Sequence, residues 1–294
     1  CSQLGAELAA LGSQLLGADN PAQVGILFDW DNYWALEYTS GPSVDLKYCN
    51  QIHQYYRYFY DRHIPVDMVP MDGDFSRYNA IVAPVLYMVK EGVAEALTAF
   101  VEAGGTLITG FMSGIVDQSD NVHLGGYPGP LRKLCGVWAE EIDALAPEQS
   151  NTLKFMDGSQ SKCGLLCDIL HLEGAQALAV YGEDFYAGAP AVTKNAYGKG
   201  TVYYVGTQPE AQGLDKILDS LTGQGEIHPL IPDRTQLEVT RRVKDGTEFW
   251  FILNLTGKPQ PLPESFAGET DMLTGEKAGD LKPFDAILVK RSAS

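Results

Sequence analysis

The sequence predicts an α/β protein: an open, mostly parallel sheet with helices on both faces, followed by a small antiparallel β-domain. Two observations lead to this prediction. Short apolar runs of strand length alternate with amphipathic helical patterns between residues 24 and 110. Near the end of the chain, two strand-like segments meet at Asp245-Gly246, a dipeptide typical of tight hairpins.

The first predicted element is a helix with leucines at helical spacing, which Gly17 ends. A helix is also predicted to open at Pro42 and Ser43, with Ser43 as its N-cap. The strands of the parallel half of the sheet are expected at 24–28, 64–69, 79–85 and 106–110. Two further helices are expected at 93–101 and 214–221.

The pattern loosens after residue 139. Short strand-like segments are separated there by Gly and Asp turns, which is typical of antiparallel strands, and we interpret them as an extension of the same domain. These segments lie at 152–156, 177–182, 191–198 and 201–207.

Composition narrows the classes of partner. The chain has 294 residues, 45% of them hydrophobic, and a formal net charge of −17. This acidic excess disfavours phosphate backbones and anionic membranes, so we expect neither nucleic acid nor membrane as a partner. No apolar run reaches the roughly 18 residues of a membrane span.

The cysteines and histidines do not indicate a metal or cofactor. Cysteine is sparse and odd in number, which favours free thiols in a reducing, cytoplasmic compartment. Cys163 and Cys167 lack the spacing and the second pair of a zinc site, so we expect buried thiols. The five histidines show no metal-ligand spacing. We therefore expect no cofactor and no metal.

Acidic and aromatic residues stand together just after the first strand. Asp29 and Asp31 alternate with Trp30, Asn32 and a further aromatic pair, Tyr33 and Trp34. In an extended segment the two carboxylates would converge and could do acid–base chemistry. They are more commonly turn formers and helix caps. A sugar-binding site is a further alternative, because aromatic rings stack on sugars and carboxylates bind hydroxyl groups.

The segment 110–114, GFMSG, has the glycine spacing of a nucleophile elbow. Its central residue is Met112, whose thioether cannot be deprotonated. Ser113 lies one residue away from the nucleophile position, and no histidine partner can be argued for it. We therefore interpret the segment as a strand-to-loop turn, which disfavours an active amidotransferase-like hydrolase.

Several blocks carry a family resemblance: VGILFDWDNYWALE, VAPVLYMV, FVEAGGTLITGFMSGIVDQSDNVHLGGYPGPLRKLCGV and LEVTRRVKDGTEFWFILN. From about residue 21 to residue 289 the chain resembles the region after the barrel in bacterial β-galactosidases of glycoside hydrolase family 42. The resemblance implies a homotrimer of retaining enzymes that cleave terminal β-galactosides with two glutamates on a catalytic TIM barrel. It also implies that the α/β domain is flavodoxin-like, similar to a glutamine amidotransferase that has lost its nucleophile.

The same resemblance implies a domain plan. Residues 1–19 would be a helix connecting to the catalytic barrel, 20–225 the trimerisation domain and 226–294 the C-terminal β-domain. The barrel of about 250 residues would lie outside this chain, and the galactoside substrate would be bound there. We carry over no catalytic residue, since Glu37 and Glu141 match no catalytic motif, and we expect the chain to be inactive alone.

The candidate site is a surface for self-association, or a wall beside a neighbouring barrel. Its residues are Asp29, Trp30, Asp31, Asn32, Tyr33 and Trp34, together with His123 and Tyr127 of the loop at 122–131. Tyr and Trp suit such a surface because they offer large apolar area with a polar tip. Packing of these aromatics within the domain is the alternative that places no function here.

Overall fold

The computed structural model describes residues 2–39, 41–222, 227–233 and 235–292. They divide into two compact units, one within 1–22, 59–67 and 228–294, the other within 23–58 and 68–227. The predicted change of domain at 223–225 lies outside the described residues. In the described part of the chain, no helix is long and apolar enough to cross a membrane.

The secondary structure follows the predicted alternation through the first half of the chain. The helices are α1 (Ser2–Leu15), α2 (Trp30–Tyr38), α3 (Tyr48–Tyr60), α4 (Val93–Ala103), α5 (Arg132–Cys135) and α6 (Ala211–Thr222). The strands are β1 (Val24–Leu27), β2 (Val66–Val69), β3 (Ala80–Ala83), β4 (Thr106–Gly110), β5 (Val137–Ala144), β6 (Asn151–Phe155), β7 (Gln160–Leu172), β8 (Gln176–Tyr181), β9 (Pro190–Tyr197), β10 (Gly200–Val205), β11 (Thr207–Pro209), β12 (Glu238–Lys244), β13 (Thr247–Leu253) and β14 (Ala286–Ser292).

The parallel half of an eleven-stranded sheet has the order β10-β4-β3-β1-β2. β1 pairs with β3, β3 with β4, and β4 with β10, all in parallel. Every residue of β1 and β3 is buried, so both faces of these strands are covered. The strand order reverses between β1 and β3, as in a doubly wound fold. The predicted fold class is confirmed.

Two local predictions near the start of this domain need correction. α3 begins at Tyr48, and Ser43 does not cap it, because the Ser43 hydroxyl accepts a hydrogen bond from the Asp45 N–H at 3.2 Å within a turn. An additional helix, α2, occupies the acidic and aromatic segment that sequence reasoning left without an element. The extended arrangement of Asp29 and Asp31 is therefore wrong.

The antiparallel half continues the sheet through β9, β8, β6, β7 and β11, with β5 paired to β7. The predicted extension is confirmed for β6, β8 and β9. β10 differs from prediction, because its other edge pairs in parallel with β4. β5 and β7 were not predicted, and both are interrupted by register shifts that break their alternation.

A separate three-stranded antiparallel sheet, β12-β13-β14, lies near the end of the chain. Its predicted hairpin is confirmed: Asp245 and Gly246 both have positive φ, 48° and 70°. Both faces of β13 are buried: Trp250 and Ile252 belong to one apolar cluster, while Phe249 joins Leu11 of α1 in another. This burial on both faces explains the imperfect alternation of the sequence.

A buried carboxyl lies in the antiparallel half of the large sheet. Asp168 of β7 is 1% exposed, and one carboxyl oxygen accepts a hydrogen bond from the Tyr204 hydroxyl at 2.7 Å. The other oxygen has no hydrogen-bond partner among the described residues. Burial raises the pKa of Asp168 to about 7, although the bond from Tyr204 acts in the opposite direction.

This pKa predicts a stability that depends on pH. The folded state keeps the proton to higher pH than the unfolded chain, so the stabilisation is present below about pH 4 and is lost as pH rises through about 7. Because Asp168→Asn stays neutral, its free energy of unfolding relative to the wild type should rise by about 2–3 kcal/mol between pH 5 and pH 8. Urea unfolding at both pH values measures the difference; a parallel loss of stability in the two proteins would contradict the assignment. Tyr204→Phe should move the wild-type decline to higher pH.

Candidate self-association surface

Helix α2 begins where β1 ends because Asp29 caps it. The Asp29 backbone is extended, and its Oδ2 accepts a hydrogen bond from the Asn32 N–H at 2.8 Å. Asp31 lies in the first turn, where the positive end of the helix dipole favours a carboxylate. The prediction that these acidic residues act as turn formers and helix caps is confirmed for Asp29.

Lys90 binds both carboxylates. Its Nζ lies 2.7 Å from Asp29 Oδ1 and 2.7 Å from Asp31 Oδ2. Partial burial lowers the pKa of Lys90, but the bonds to Asp29 and Asp31 outweigh this and raise it. Asp29 and Asp31 are the carboxylates that the sequence suggested for acid–base chemistry or sugar binding. In the structure one oxygen of each binds Lys90, and these ion pairs hold α2 to the segment before α4.

Asn32 is fully buried and therefore contacts the protein interior, not solvent. Its Nδ2 donates to the Val85 carbonyl at 3.1 Å, and its Oδ1 accepts from the Met88 N–H at 2.8 Å. Both polar ends of the amide are thus satisfied by one backbone segment, residues 85–88, which follows β3. Asn32 was grouped with the candidate surface residues, and the structure gives it the role of positioning the helix that carries them.

The backbone at this end of the sheet is strained in two places. Val85 has φ 50° and Met112 has φ 56°, and positive φ costs a β-branched or bulky residue roughly 1–3 kcal/mol. Met112 thus has the backbone of a nucleophile elbow with a thioether in the nucleophile position. Ser113 Oγ accepts from the Leu86 N–H at 3.1 Å and lies 2.9 Å from the Thr109 hydroxyl, which gives it a structural role.

The outward face of α2 carries an aromatic stripe, defined here as Trp30, Trp34 and Tyr38. These residues recur at every fourth position, so they lie along one side of the helix. Their exposed fractions are 59%, 51% and 86%. The Trp30 ring lies 6.0 Å from that of Trp34 and 5.0 Å from that of Phe28, centroid to centroid. Tyr33 is half-buried beneath the stripe, with its ring 6.0 Å from that of Trp30.

The 122–131 loop lies at the same end of the sheet as α2. Asn32 contacts the 85–89 segment. In that segment the Leu86 carbonyl accepts a hydrogen bond from the Gly114 N–H at 2.8 Å, and the Tyr87 carbonyl accepts one from the Ile115 N–H at 2.9 Å. The His123 N–H then bonds the Ile115 carbonyl at 2.9 Å. The side-chain amide of Asn32, followed by these backbone hydrogen bonds, therefore connects α2 to this loop through two intervening segments.

Within the loop, the two candidate residues are half-buried. Tyr127 forms an isolated antiparallel bridge with Ala139, and His123 Nε2 is buried without a hydrogen-bond partner among the described residues. The exposed apolar groups are instead Val122 and Leu124, the latter 97% exposed. Gly114 is required below the loop, because a Cβ there would lie 2.0 Å from the Pro128 carbonyl oxygen.

The residues at this end of the sheet form an exposed apolar surface and not a cluster of reactive side chains. In the described ranges, no three His, Cys, Asp or Glu side chains come together as a metal-binding group. The acids point to Lys90, the buried amide points inward, and the aromatic stripe points to solvent. Sequence reasoning found the aromatics and the acids but missed Lys90, since nothing in the sequence connects it to residues so distant along the chain.

The chain matches known families and structures over nearly its whole length. The family model for the β-galactosidase trimerisation domain matches residues 22–228, and the model for the β-galactosidase C-terminal domain matches 236–291. The β-galactosidase LacZ of Lactobacillus acidophilus is 45% identical over 291 residues, covering 98% of this chain and 44% of that protein. The β-galactosidase BgaP of Planococcus sp. strain L4 is 48% identical over 267 residues, covering 89% of this chain and 39% of that protein.

Solved structures agree with the sequence matches. The β-galactosidase from Bacillus circulans sp. alkalophilus superposes with a TM-score of 0.94 at 40% identity, covering 99% of this chain and 44% of that one. The two matched ranges fall on the large α/β sheet region and on the small three-stranded sheet region of this chain. The chain belongs to the β-galactosidases of glycoside hydrolase family 42, and it spans less than half the length of these relatives.

Removing the Asn32 amide tests its positioning role. Asn32→Ala leaves the Val85 carbonyl and the Met88 N–H buried without partners, which should lower the free energy of unfolding by about 2–5 kcal/mol. Urea denaturation measures the loss. Asn50→Ala, at an exposed position on α3, is the matched control and should change stability by less than about 0.5 kcal/mol. Equal effects of the two substitutions would contradict the role.

Proposed function

We propose that this chain supplies the trimerisation and C-terminal regions of a retaining β-galactosidase that hydrolyses terminal β-D-galactosides. In this proposal residues 20–225 assemble the homotrimer and 226–294 form the C-terminal β-domain. Residues 1–19 connect to a catalytic barrel, which binds the substrate and carries both catalytic glutamates. The match of residues 22–228 to the trimerisation-domain family is the observation that carries the proposal.

The aromatic stripe is our candidate for one contact patch of the trimer, together with the exposed part of the 122–131 loop. A closed ring of three identical subunits uses heterologous contacts, so each subunit needs two different complementary patches. Trp and Tyr are the residues that most often dominate the energy of such contacts. Burying the exposed half of each Trp side chain, roughly 100 Å², would contribute about 2–3 kcal/mol.

The construction of α2 supports this use of the stripe. A contact residue that is already rigid loses less conformational entropy on binding. The helix is capped by Asp29, tied by Lys90 and anchored by Asn32, so the indole rings are presented on a fixed support. The sugar-binding alternative uses the same rings, but it also needs Asp29 and Asp31 to accept sugar hydroxyls, and Lys90 engages both.

The cellular location and the excluded partners are inferred from the free cysteines and from the net charge of the chain. We infer a cytoplasmic protein, because Cys49, Cys135, Cys163 and Cys167 are free thiols, which persist in reducing compartments. The net charge of −17 supports the absence of nucleic-acid and anionic-membrane partners.

Self-association should depend on the aromatic stripe. We expect a trimer mass for the wild-type chain by light scattering. For the double variant Trp30→Ala/Trp34→Ala we expect the dissociation constant of the contact to rise by about 1,000-fold, since two hot-spot residues at about 2 kcal/mol each contribute about 4 kcal/mol. Phe185→Ala removes a similarly exposed aromatic elsewhere in the same unit and should leave assembly unchanged.

Two outcomes would count against this assignment. Monomer mass alone at high concentration would contradict self-association, and unchanged assembly of the double variant would remove the stripe from the contact. Tryptophan fluorescence that saturates with galactose or lactose, and is lost in the double variant, would favour sugar binding instead.

The chain alone should not hydrolyse galactosides. Retaining hydrolysis needs two carboxyl groups about 5–5.5 Å apart with room for the sugar between them, and Lys90 contacts both members of the acidic pair on α2. We expect release of nitrophenol from a nitrophenyl β-galactoside to equal that of a mock preparation. Turnover clearly above the mock rate, retained through successive purification steps, would contradict this expectation.

A further inference from the structure

A groove runs along helix α4, in the same compact unit as the aromatic stripe. One cavity of about 770 Å³ is lined by α4 and by the loop at residues 73–79. A second cavity of about 440 Å³ lies at the N-terminal end of the helix, and both cavities are lined by Gly73 and Ala96. The two cavities therefore adjoin along the length of α4. We call this surface the α4 groove and define it by Phe75, Tyr78, Ala96, Ala99, Phe100 and Ala103.

The α4 groove is concave because of the residues that form it. Ala96, Ala99 and Ala103 lie on one side of α4 and are exposed, and their short side chains leave space at the helix surface. Phe75 and Phe100 are buried at its floor, with ring centroids 6.4 Å apart. The Phe100 ring lies directly against the backbone of Gly105, where a Cβ would be 2.3 Å from it. The groove thus offers a recessed apolar surface.

The aromatic stripe is complementary to the α4 groove in length and in side-chain size. From Trp30 to Tyr38 the stripe covers eight helical steps, about 12 Å, and α4 with its 11 residues is about 16 Å long. Large side chains on one surface that face small ones on another interdigitate closely. The polar tips of the stripe also match, because indole N–H groups donate hydrogen bonds and the exposed Asp74 carboxylate at the edge of the groove accepts them.

A second copy of the chain is the occupant that these observations favour. The stripe is exposed and the groove is open in the same structure, so the stripe does not fill the groove of its own chain. A ring of identical subunits needs two different patches that fit each other, and the stripe is only one of them. Burial of its three exposed side chains would cover roughly 300–450 Å², about half of what a stable interface buries on each partner. The 122–131 loop would add to this area.

We propose that the α4 groove binds the aromatic stripe of a neighbouring subunit, so that these two surfaces are the complementary patches of one contact. The proposal rests on the homotrimer of the proposed function and adds the second patch to it. Trp30 and Trp34 of one subunit pack over the floor of the groove in the next. Each subunit then inserts its stripe into one neighbour and binds the stripe of the other, and three equal contacts close the ring.

A charge placed in the groove tests the proposal. Ala99→Glu keeps a good helix former at an exposed position, so the subunit should fold with the urea midpoint of the wild type. Assembly would bury the new carboxylate without a partner, and we expect the dissociation constant of the trimer to rise at least about 30-fold in analytical ultracentrifugation. Ala211→Glu is the matched control, because it makes the same substitution at an exposed residue of α6 outside the groove, and it should assemble as the wild type does.

Cross-linking between two variants measures the contact directly and leaves the stripe and the groove floor intact. Glu37→Cys lies beside the stripe, and Ser76→Cys lies at the edge of the groove; both positions are exposed. After mixing and reassembly, a short bismaleimide should give at least about fivefold more covalent dimer than with either variant alone, because thiols held close together react at a high effective concentration. Phe185→Cys in place of Ser76→Cys should give no such increase. Native cysteines contribute equally to all samples.

The outcomes separate this proposal from the proposed function. If the wild-type chain is a trimer but Ala99→Glu assembles like Ala211→Glu, or the mixed variants show no additional cross-linking, the groove is not the second patch and the trimer assignment stands. If the wild-type chain is monomeric at high concentration, the trimer assignment and the groove contact are both overturned.

Discussion

The buried amide of Asn32 is the interaction on which this end of the structure depends. It contacts a backbone segment that contains Val85, a β-branched residue at positive φ, and it satisfies a carbonyl and an N–H of that segment at once. Strained backbone of this kind persists only where its surroundings determine it fully. The hydrogen bonds of Asn32 and Ser113 to this segment fix its backbone conformation. They also join the loops that follow three adjacent parallel strands, β1, β3 and β4.

Helix α2 therefore has two kinds of residue, one kind that fixes its position and another that is exposed for contact. Asn32 faces the interior and Asp31 pairs with Lys90, while the aromatic stripe faces solvent. This inverts the usual arrangement, in which apolar side chains are buried and charged ones exposed. An exposed aromatic face on a rigidly held helix is unfavourable for an isolated monomer and suited to contact with another surface. The match to a trimerisation domain supports a second copy of the chain as that surface.

The parallel strands and the C-terminal hairpin could be predicted because their signals are local. β1 and β3 are continuous apolar runs, and Asp245-Gly246 adopts the two positive φ angles that its turn requires. Helix α2 could not be predicted from periodicity, since its large aromatic residues Trp30, Trp34 and Tyr38 are exposed and one of its two buried residues, Asn32, is polar. β5 and β7 were missed because register shifts interrupt their alternation, and the pairing of β10 with β4 depends on contacts distant in sequence. For the same reason the acidic and aromatic residues could be identified as a site, but the ion pairs to Lys90 could not.

Hydroxyl-radical footprinting of the assembled and the diluted chain tests the central claim most directly, because it reports the exposure of individual side chains. If the aromatic stripe forms the contact between subunits, Trp30 and Trp34 should be oxidised several-fold more slowly in the assembled sample, while Phe185 should react equally in both. Assembly that leaves the reactivity of Trp30 and Trp34 unchanged would contradict the account.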